Sequence, residues 1–289
     1  MNRQEKFKQY LNNMNRFYYT VLKITEKRAG EIRTFYADKY LYGNGIEIGA
    51  EANPLIVNKN NTMIKYVDRI QPEEISKIYN IPIEYIIKPD FISEADSLDI
   101  FPDNNFDFVV ANHILEHMVN PIGAIREWLR ILKDDGILFL SVPNFRGNEY
   151  DFCRKPVDVN HLIQDHYNHD HDLKSDHWKE FIEHVEGINP RENIIAFNER
   201  FELFREIDFR IHMHVFNKKL CFDILNFLIN NKEKLSLVDI FSFKYSFEIL
   251  LILRKSSIRN IKSTFKSKIN SVLLLNKLIR EYLARNSQS

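Results

Sequence analysis

Two cysteines, eight glycines and no long apolar run mark this 289-residue sequence, and each scarcity excludes something. Cys153 and Cys221 stand far apart without metal-ligand spacing, which argues for ordinary thiols in a reducing compartment rather than a disulfide framework. No apolar stretch approaches the ~18 residues needed to span a bilayer. Residues 1–20 mix charged, Asn and aromatic side chains and contain no secretory h-region. The expectation is a cytoplasmic protein. Net charge is also missing, since 40 Lys and Arg balance 40 Asp and Glu. The balance hides a division. Residues 1–42 carry nine basic against four acidic groups and residues 254–289 nine against one, which leaves 22 basic and 35 acidic between them. An acidic core excludes a nucleic-acid substrate, because phosphate binding needs a basic footprint.

What is present is ordinary globular composition, 44% apolar and 28% charged, in a chain long enough for one large domain with appendages. Phe106 to Asn144 is its clearest part. Phe106, Phe108, Val109 and Val110 make a short, nearly continuous apolar run, as a strand covered on both faces requires. Asn120 and Pro121 read as helix cap and first helical residue. Ile122, Ile125, Leu129 and Leu132 then recur at helical spacing with Trp128 beside them. Asp134, Asp135 and Gly136 read as the turn that ends the helix, and Ile137 to Val142 as a second buried strand stopped by Pro143. This is one unit of an open α/β sheet, in which ligands bind outside the carboxyl ends of the strands.

Upstream, one apolar strand ends in Glu47-Ile48-Gly49-Ala50 and another in Tyr66-Val67-Asp68. Asp68 follows Gly49 by about the interval at which a Rossmann-type fold offers a carboxylate to ribose hydroxyls. Gly49 permits close backbone approach, but Glu51 and Asn53 stand where a phosphate cradle would carry glycines. A nucleoside without phosphates is therefore the better ligand.

The segments EIGAEANPL, YVDR, ADSLDIFPDNNFDFVVANHILEH and NPIGAIREWLRILKDDGILFLSVPN together resemble the successive motifs of class I S-adenosylmethionine-dependent methyltransferases. The likeness runs from Gly43 to Arg254 and is greatest to the methyltransferase-domain proteins of bacterial surface-polysaccharide biosynthesis. It implies an α/β fold: a Rossmann-like, seven-stranded, mostly parallel sheet with an antiparallel hairpin, Leu235–Phe243 and Ser246–Leu253. It also implies a division into an N-terminal helical segment (1–42), a methyltransferase domain (43–255) with an inserted substrate-binding lid (144–211), and a C-terminal helix (256–289). S-adenosylmethionine is the implied cofactor. Glu47, Gly49 and Ala50 would flank its methionine part, Asp68 and Arg69 its ribose, and Asp96 its adenine. Asn112 and His113 would line the sulfonium.

All ten histidines lie between His113 and His214, six of them from His161 to His184. The polar stretch that contains them is too long for a plain connection and reads as a lid or binding segment. Asp151, Arg154, Pro156, His161 and Asp165, with Ile211 to Phe216, also resemble signatures of the polysaccharide-associated group. If residues 211–216 form a strand, His212 and His214 share a face. His161, His212 and His214 are the catalytic candidates, one serving as general base on a sugar hydroxyl. Asp151, Arg154 and Asp165 are the substrate-binding candidates, with Arg154 suited to an anionic group. No metal is favoured, because HxH is a thin ligand set; His212 and His214 beside a carboxylate are the alternative. His166, His169, His171, His177 and His184 read as surface or hydrogen-bonding residues.

Apolar residues at mixed helical spacing in 3–36 predict a segment that closes over the site or packs on the core. Ile258, Ile261, Phe265, Ile269, Val272, Leu275 and Ile279 predict a basic amphipathic helix. It would pack on its own domain, dock on a partner protein, or lie peripherally on the inner membrane face. The function expected is O-methylation of a sugar or surface-glycan precursor such as one of capsule or lipopolysaccharide. The alternative is a catalytically degenerate, methyltransferase-like scaffold of polysaccharide assembly.

Overall fold

The computed structural model describes residues 3–168, 172–256 and 265–286. Three helices open the chain: α1 (Arg3–Asn12), α2 (Arg16–Lys27) and α3 (Ala29–Tyr40). Strands and helices then alternate as β1 (Gly43–Ile48), β2 (Thr62–Asp68), α4 (Pro72–Tyr79), β3 (Phe91–Ile92), β4 (Phe106–Asn112), α5 (Pro121–Ile131) and β5 (Leu132–Pro143). A helical excursion follows, α6 (Val159–Tyr167), α7 (Leu173–Phe181) and α8 (Ile194–Glu206), before α9 (Lys218–Asn230), β6 (Ser236–Phe241), β7 (Glu248–Arg254) and α10 (Phe265–Asn286).

Among the described residues there is one sheet of seven strands, in the order β3-β2-β1-β4-β5-β7-β6. The first five are parallel; β7 enters antiparallel between β5 and β6. The chain leaves β1 in one direction and β4 in the other, so the crevice for a ligand opens beyond the carboxyl ends of those two strands.

Strand alternation feeds two cores. Val109, Ala111, Leu138, Leu140, Leu251 and Leu253 meet α5 and α9 through Ile125, Trp128, Ile224 and Leu228. Phe108, Val110, Phe139, Leu250 and Ile252 meet α2, α3 and α10 through Ile24, Ile32, Tyr36, Leu274 and Leu278. The excursion has a third core of its own, in which Trp178, Phe181, Ile182, Phe197 and Phe204 pack with Ile211 and Met213. The excursion is therefore a packed body.

Several expectations change in detail. The antiparallel pair is shorter than expected at the ends that face its turn, the first strand being Ser236–Phe241 and the second Glu248–Arg254, which runs one residue past Leu253. Asp134, Asp135 and Gly136 do not form a turn outside the elements. Leu132 caps α5 in extended conformation and already pairs with Phe106, so the three residues bulge within β5, with Asp135 at φ 63°. Residues 211–216 are irregular rather than a strand, because their backbone bonds go to separate loops: the His214 N–H donates to the Glu116 carbonyl, and the Phe216 carbonyl accepts the Phe145 N–H. Of the expected C-terminal stripe, Leu275 is buried, Ile279 packs on the sheet and Val272 is exposed. The helix faces its own domain through Ser271, Leu274 and Leu278, and its Glu281 pairs with Arg28, the residue between α2 and α3. Ile258, Ile261, His169 and His171 lie outside the described residues. No described helix is long and apolar enough to cross a membrane.

Candidate active site

Three carboxylates crowd the ends of β1 and β2. Glu47 is buried and accepts both the Leu55 N–H, at 2.9 and 3.0 Å, and the Asn112 amide, at 3.4 Å. Ser141 of β5 donates to the other side of Asn112 at 3.0 Å, which fixes that amide. Burial raises Glu47 to about 7, and the Leu55 and Asn112 bonds only partly offset it. Burial, then the nearby Asp68, also raises Glu51 to about 7. Asp68 is raised by burial as well, while one of its oxygens caps the Arg69 N–H at 2.7 Å. A carboxylate cluster of this kind, one member buried and two partly so, suits a cationic ligand and repels a pyrophosphate.

Between these groups Gly49 has φ +65°, a left-handed conformation that only glycine adopts freely. Ala50 is buried behind it. Glu51 continues the turn at φ 44° without a glycine. Asp96 lies exposed in the loop after β3, beside Ala95, whose carbonyl accepts the Trp128 indole at 2.7 Å. This set of carboxylates fits a cation that carries hydroxyls, as S-adenosylmethionine does.

His113 leaves β4 at φ 55° and turns back under the sheet edge. Its Nε2 donates to Glu248 at 2.8 Å and its ring stacks on Phe247. Arg33 of α3 holds the same Glu248 in a fork, with Nε 3.1 Å from both oxygens. These partners outweigh the burial that would raise Glu248 and hold it at about 2. His113 is thus tied through Glu248 of β7 to Arg33 of α3.

One short turn further, Glu116 is fully buried, and both its carboxylate oxygens lack a hydrogen-bond partner. Burial raises its pKa. Glu116 lies 3.7 Å from His113 Nδ1, and its ligand-type atoms fall within 4.8 Å of those of His117 and His212. His117 donates Nδ1–H to the Ile211 carbonyl at 2.8 Å, and burial, with His212 beside it, lowers its pKa to about 3. It is a neutral imidazole with a free Nε2.

His212 donates Nδ1–H to Asp151 at 2.9 Å. Burial opposes charge on this ring, but Asp151 and then Glu116 more than compensate, and its pKa is raised. Its ring meets His117 edge-on and Tyr150 at a tilt. Arg154 is buried and fully engaged: it binds Glu180 at 2.6 and 3.1 Å, Asp151 at 3.4 Å, and the carbonyls of His212 and Met213 at 2.8 and 3.3 Å. With no N–H left over for an incoming anion, it clamps the His212 loop. Asp151 and Arg154 thus position His212.

His212 and His214 do not meet the same partners. The His214 Nε2 lies 2.9 Å from Asp165, a residue that His161 and His177 also approach. The expected catalytic set divides into two clusters. His177, expected at the surface, is buried in the second. His166 bonds Asn120 at 3.1 Å and Arg126 at 2.6 Å.

Sequence reasoning passed over Glu116, His117, His177, Glu248 and Arg33. A Leu-Glu-His triplet straight after a strand end could have pointed to the first two. His177 precedes Trp178 on the apolar side of α7, and Glu248 opens an otherwise apolar strand; both are charges out of pattern. Nothing local marks Arg33. The N-terminus closes over this region: Arg3 lies 4.0 Å above the Tyr150 ring and pairs with Glu149, and Phe7 packs on Phe152.

Residues 57–140 match the family profile described as "Methyltransferase domain". That part of the chain, from β2 into β5, is similar to a methyltransferase domain, a kind of domain that uses S-adenosylmethionine. The match includes Asp68, Asp96, Asn112, His113 and Glu116, and leaves out Glu47, Gly49 and the lid. A comparison with curated proteins finds no match. Among solved structures, the CurJ carbon methyltransferase overlaps 75% of this chain and 50% of its own, at 10% identity and a TM-score of 0.39. This chain thus spans half the length of that protein. A SAM-dependent methyltransferase, possible histamine N-methyltransferase, of Thermotoga maritima overlaps 81% and 91%, at 16% identity and 0.40. The YcgJ protein of Bacillus subtilis overlaps 79% and 96%, at 15% identity and 0.33. These overlaps are loose; strand order itself carries the assignment of the fold.

Proposed function

We propose that the protein transfers a methyl group from S-adenosylmethionine to a hydroxyl of a sugar or surface-glycan precursor, with His212 as general base. The observation that carries this reading is the Asp151–His212 pair, which stands beside Glu116 one turn from the cofactor edge. The sugar class is supported by the resemblance of the Asp151-to-Asp165 and Ile211-to-Phe216 segments to glycan-associated methyltransferases.

When bound, S-adenosylmethionine supplies an activated methyl on a sulfonium that is already an excellent leaving group. Glu47 would take its ammonium and Asp68 its ribose hydroxyls. Asn112, held from both sides, keeps the edge of β4 rigid, so alignment of acceptor and methyl supplies much of the acceleration. An alcohol is barely ionised near neutral pH, and a positioned base adds about 10²–10⁴-fold. Asp151 fixes the Nδ1–H tautomer of His212 and so leaves Nε2 as the basic atom. The buried Glu116 carboxylate favours the imidazolium that forms.

His212→Ala should lower turnover by about 10²–10⁴-fold while S-adenosylmethionine affinity by calorimetry stays within about twofold of wild type. A parallel loss of cofactor binding would overturn the base assignment. A turnover screen over nucleotide-sugars and glycan extracts tests the acceptor class. Failure to bind either S-adenosylmethionine or its demethylated product would favour the scaffold alternative.

A further inference from the structure

His161, Asp165, His177 and His214 come from three separate elements: α6 for the first two, α7 for the third and the 211–216 loop for the fourth. His161 and Asp165 are one helical turn apart on the same face of α6. Asp165, His177 and His214 are buried, and the ligand-type atoms of all four residues lie within 4.8 Å of one another. One carboxylate oxygen of Asp165 stands 3.3 Å from His161 Nε2, 3.6 Å from His177 Nε2 and 2.9 Å from His214 Nε2. A tetrahedron with metal–ligand bonds of about 2.0–2.1 Å has edges of about 3.3 Å. The three distances straddle that edge.

Hydrogen bonding alone does not account for this convergence. His214 Nδ1 faces the Met118 carbonyl at 3.1 Å, where it can only donate. In a neutral ring its Nε2 is then a lone pair aimed at a carboxylate. His161 Nε2 is buried with no hydrogen-bond partner. A single oxygen cannot satisfy three imidazoles that approach from three elements. A cation at their centre satisfies every one of these atoms, and the Met118 bond is the outer-layer contact that metal-bound histidines usually make.

We infer that His161, Asp165, His177 and His214 bind one divalent transition-metal ion of the zinc class. Three imidazoles and one carboxylate suit such an ion, whereas magnesium and calcium prefer oxygen ligands. With four protein ligands the site is closed, as structural sites are. Its role is to staple α6, α7 and the His212 loop together and, through Met118, to tie them to the turn after β4. It thereby sets where His212 stands without touching the reacting atoms. This inference does not depend on the methyl acceptor, and its test reads no activity.

The test uses the full chain, stripped with a chelator and titrated separately with Zn²⁺, Co²⁺ and Mg²⁺. One equivalent of Zn²⁺ should bind and raise the melting temperature. Co²⁺ should give the strong visible bands of a tetrahedral ion with nitrogen and oxygen ligands, and Mg²⁺ should do neither. His161→Ala, at the most exposed of the four ligands, keeps the fold testable. It should weaken Zn²⁺ binding at least about a hundredfold, since loss of even an outer-layer partner costs 10–100-fold. His212→Ala should leave Zn²⁺ binding intact. Absence of Zn²⁺ binding by folded protein, equal binding of Mg²⁺, or binding that survives His161→Ala but not His212→Ala would overturn the assignment. The last outcome would move the ion to Glu116, His117 and His212.

Discussion

Glu47 is the buried side chain on which the proposed cofactor site turns. Its carboxyl is raised to about 7, above the ordinary glutamate value of 4.5. A raised carboxyl is protonated as pH falls through that value, so the anion that would meet the ligand's ammonium is lost. Affinity for S-adenosylmethionine should therefore fall as pH is lowered from about 8 to about 6, approaching one proton of slope. Glu47→Gln should bind about tenfold more weakly at pH 8 and show a flat profile over the same range. Calorimetry at several pH values measures both, and a sloped profile in the variant would assign the titration elsewhere. The same burial acts on stability with the opposite sense: the contribution of the protonated group is full below 4.5 and is lost as pH rises through about 7.

At the scale of elements, the Arg33–Glu248–His113 chain joins α3, β7 and the β4 turn. Each belongs to a different part of the sequence, and the charges of Arg33 and Glu248 meet where both side chains are largely buried. Removing one partner of such a group leaves an uncompensated buried charge. Arg33→Ala should cost about 3–5 kcal/mol at pH 7, seen as a lower urea midpoint. Glu248 is held at about 2, so the stability it contributes is present above its ordinary value and lost as pH falls through about 2. The difference between variant and wild type should accordingly be smaller at about pH 4, where Glu248 of the variant is already protonated. An equal difference at both pH values would mean that Arg33 acts by packing alone.

For the whole molecule, α10 closes one face of the sheet. Leu278 is 2% exposed and packs in the core that includes Tyr36 and Phe241. Leu278→Ala should destabilise the protein by about 2–5 kcal/mol by calorimetric or denaturant unfolding, whereas Val272→Ala, on the exposed side, should be nearly silent. Loss of stability confined to Val272→Ala would mean that the helix docks through its other face.

The sequence by itself determined the sheet and its chemical edge. Alternating apolar runs, the Asn120-Pro121 start and the spacing from Gly49 to Asp68 are local patterns, and local patterns specify strands, caps and the side on which loops emerge. The strand endings that carry Glu47, Asp68 and Asn112 follow from them. Tertiary structure alone decided how the histidines divide. His212 and His214 are two residues apart, yet an irregular backbone sends one to Asp151 and the other to Asp165, which strand periodicity could not foresee. His177 joins His161 across two helices, and Arg33 reaches Glu248 across 215 positions. Such meetings depend on how packed bodies come together in space, and one-dimensional spacing carries no record of that distance.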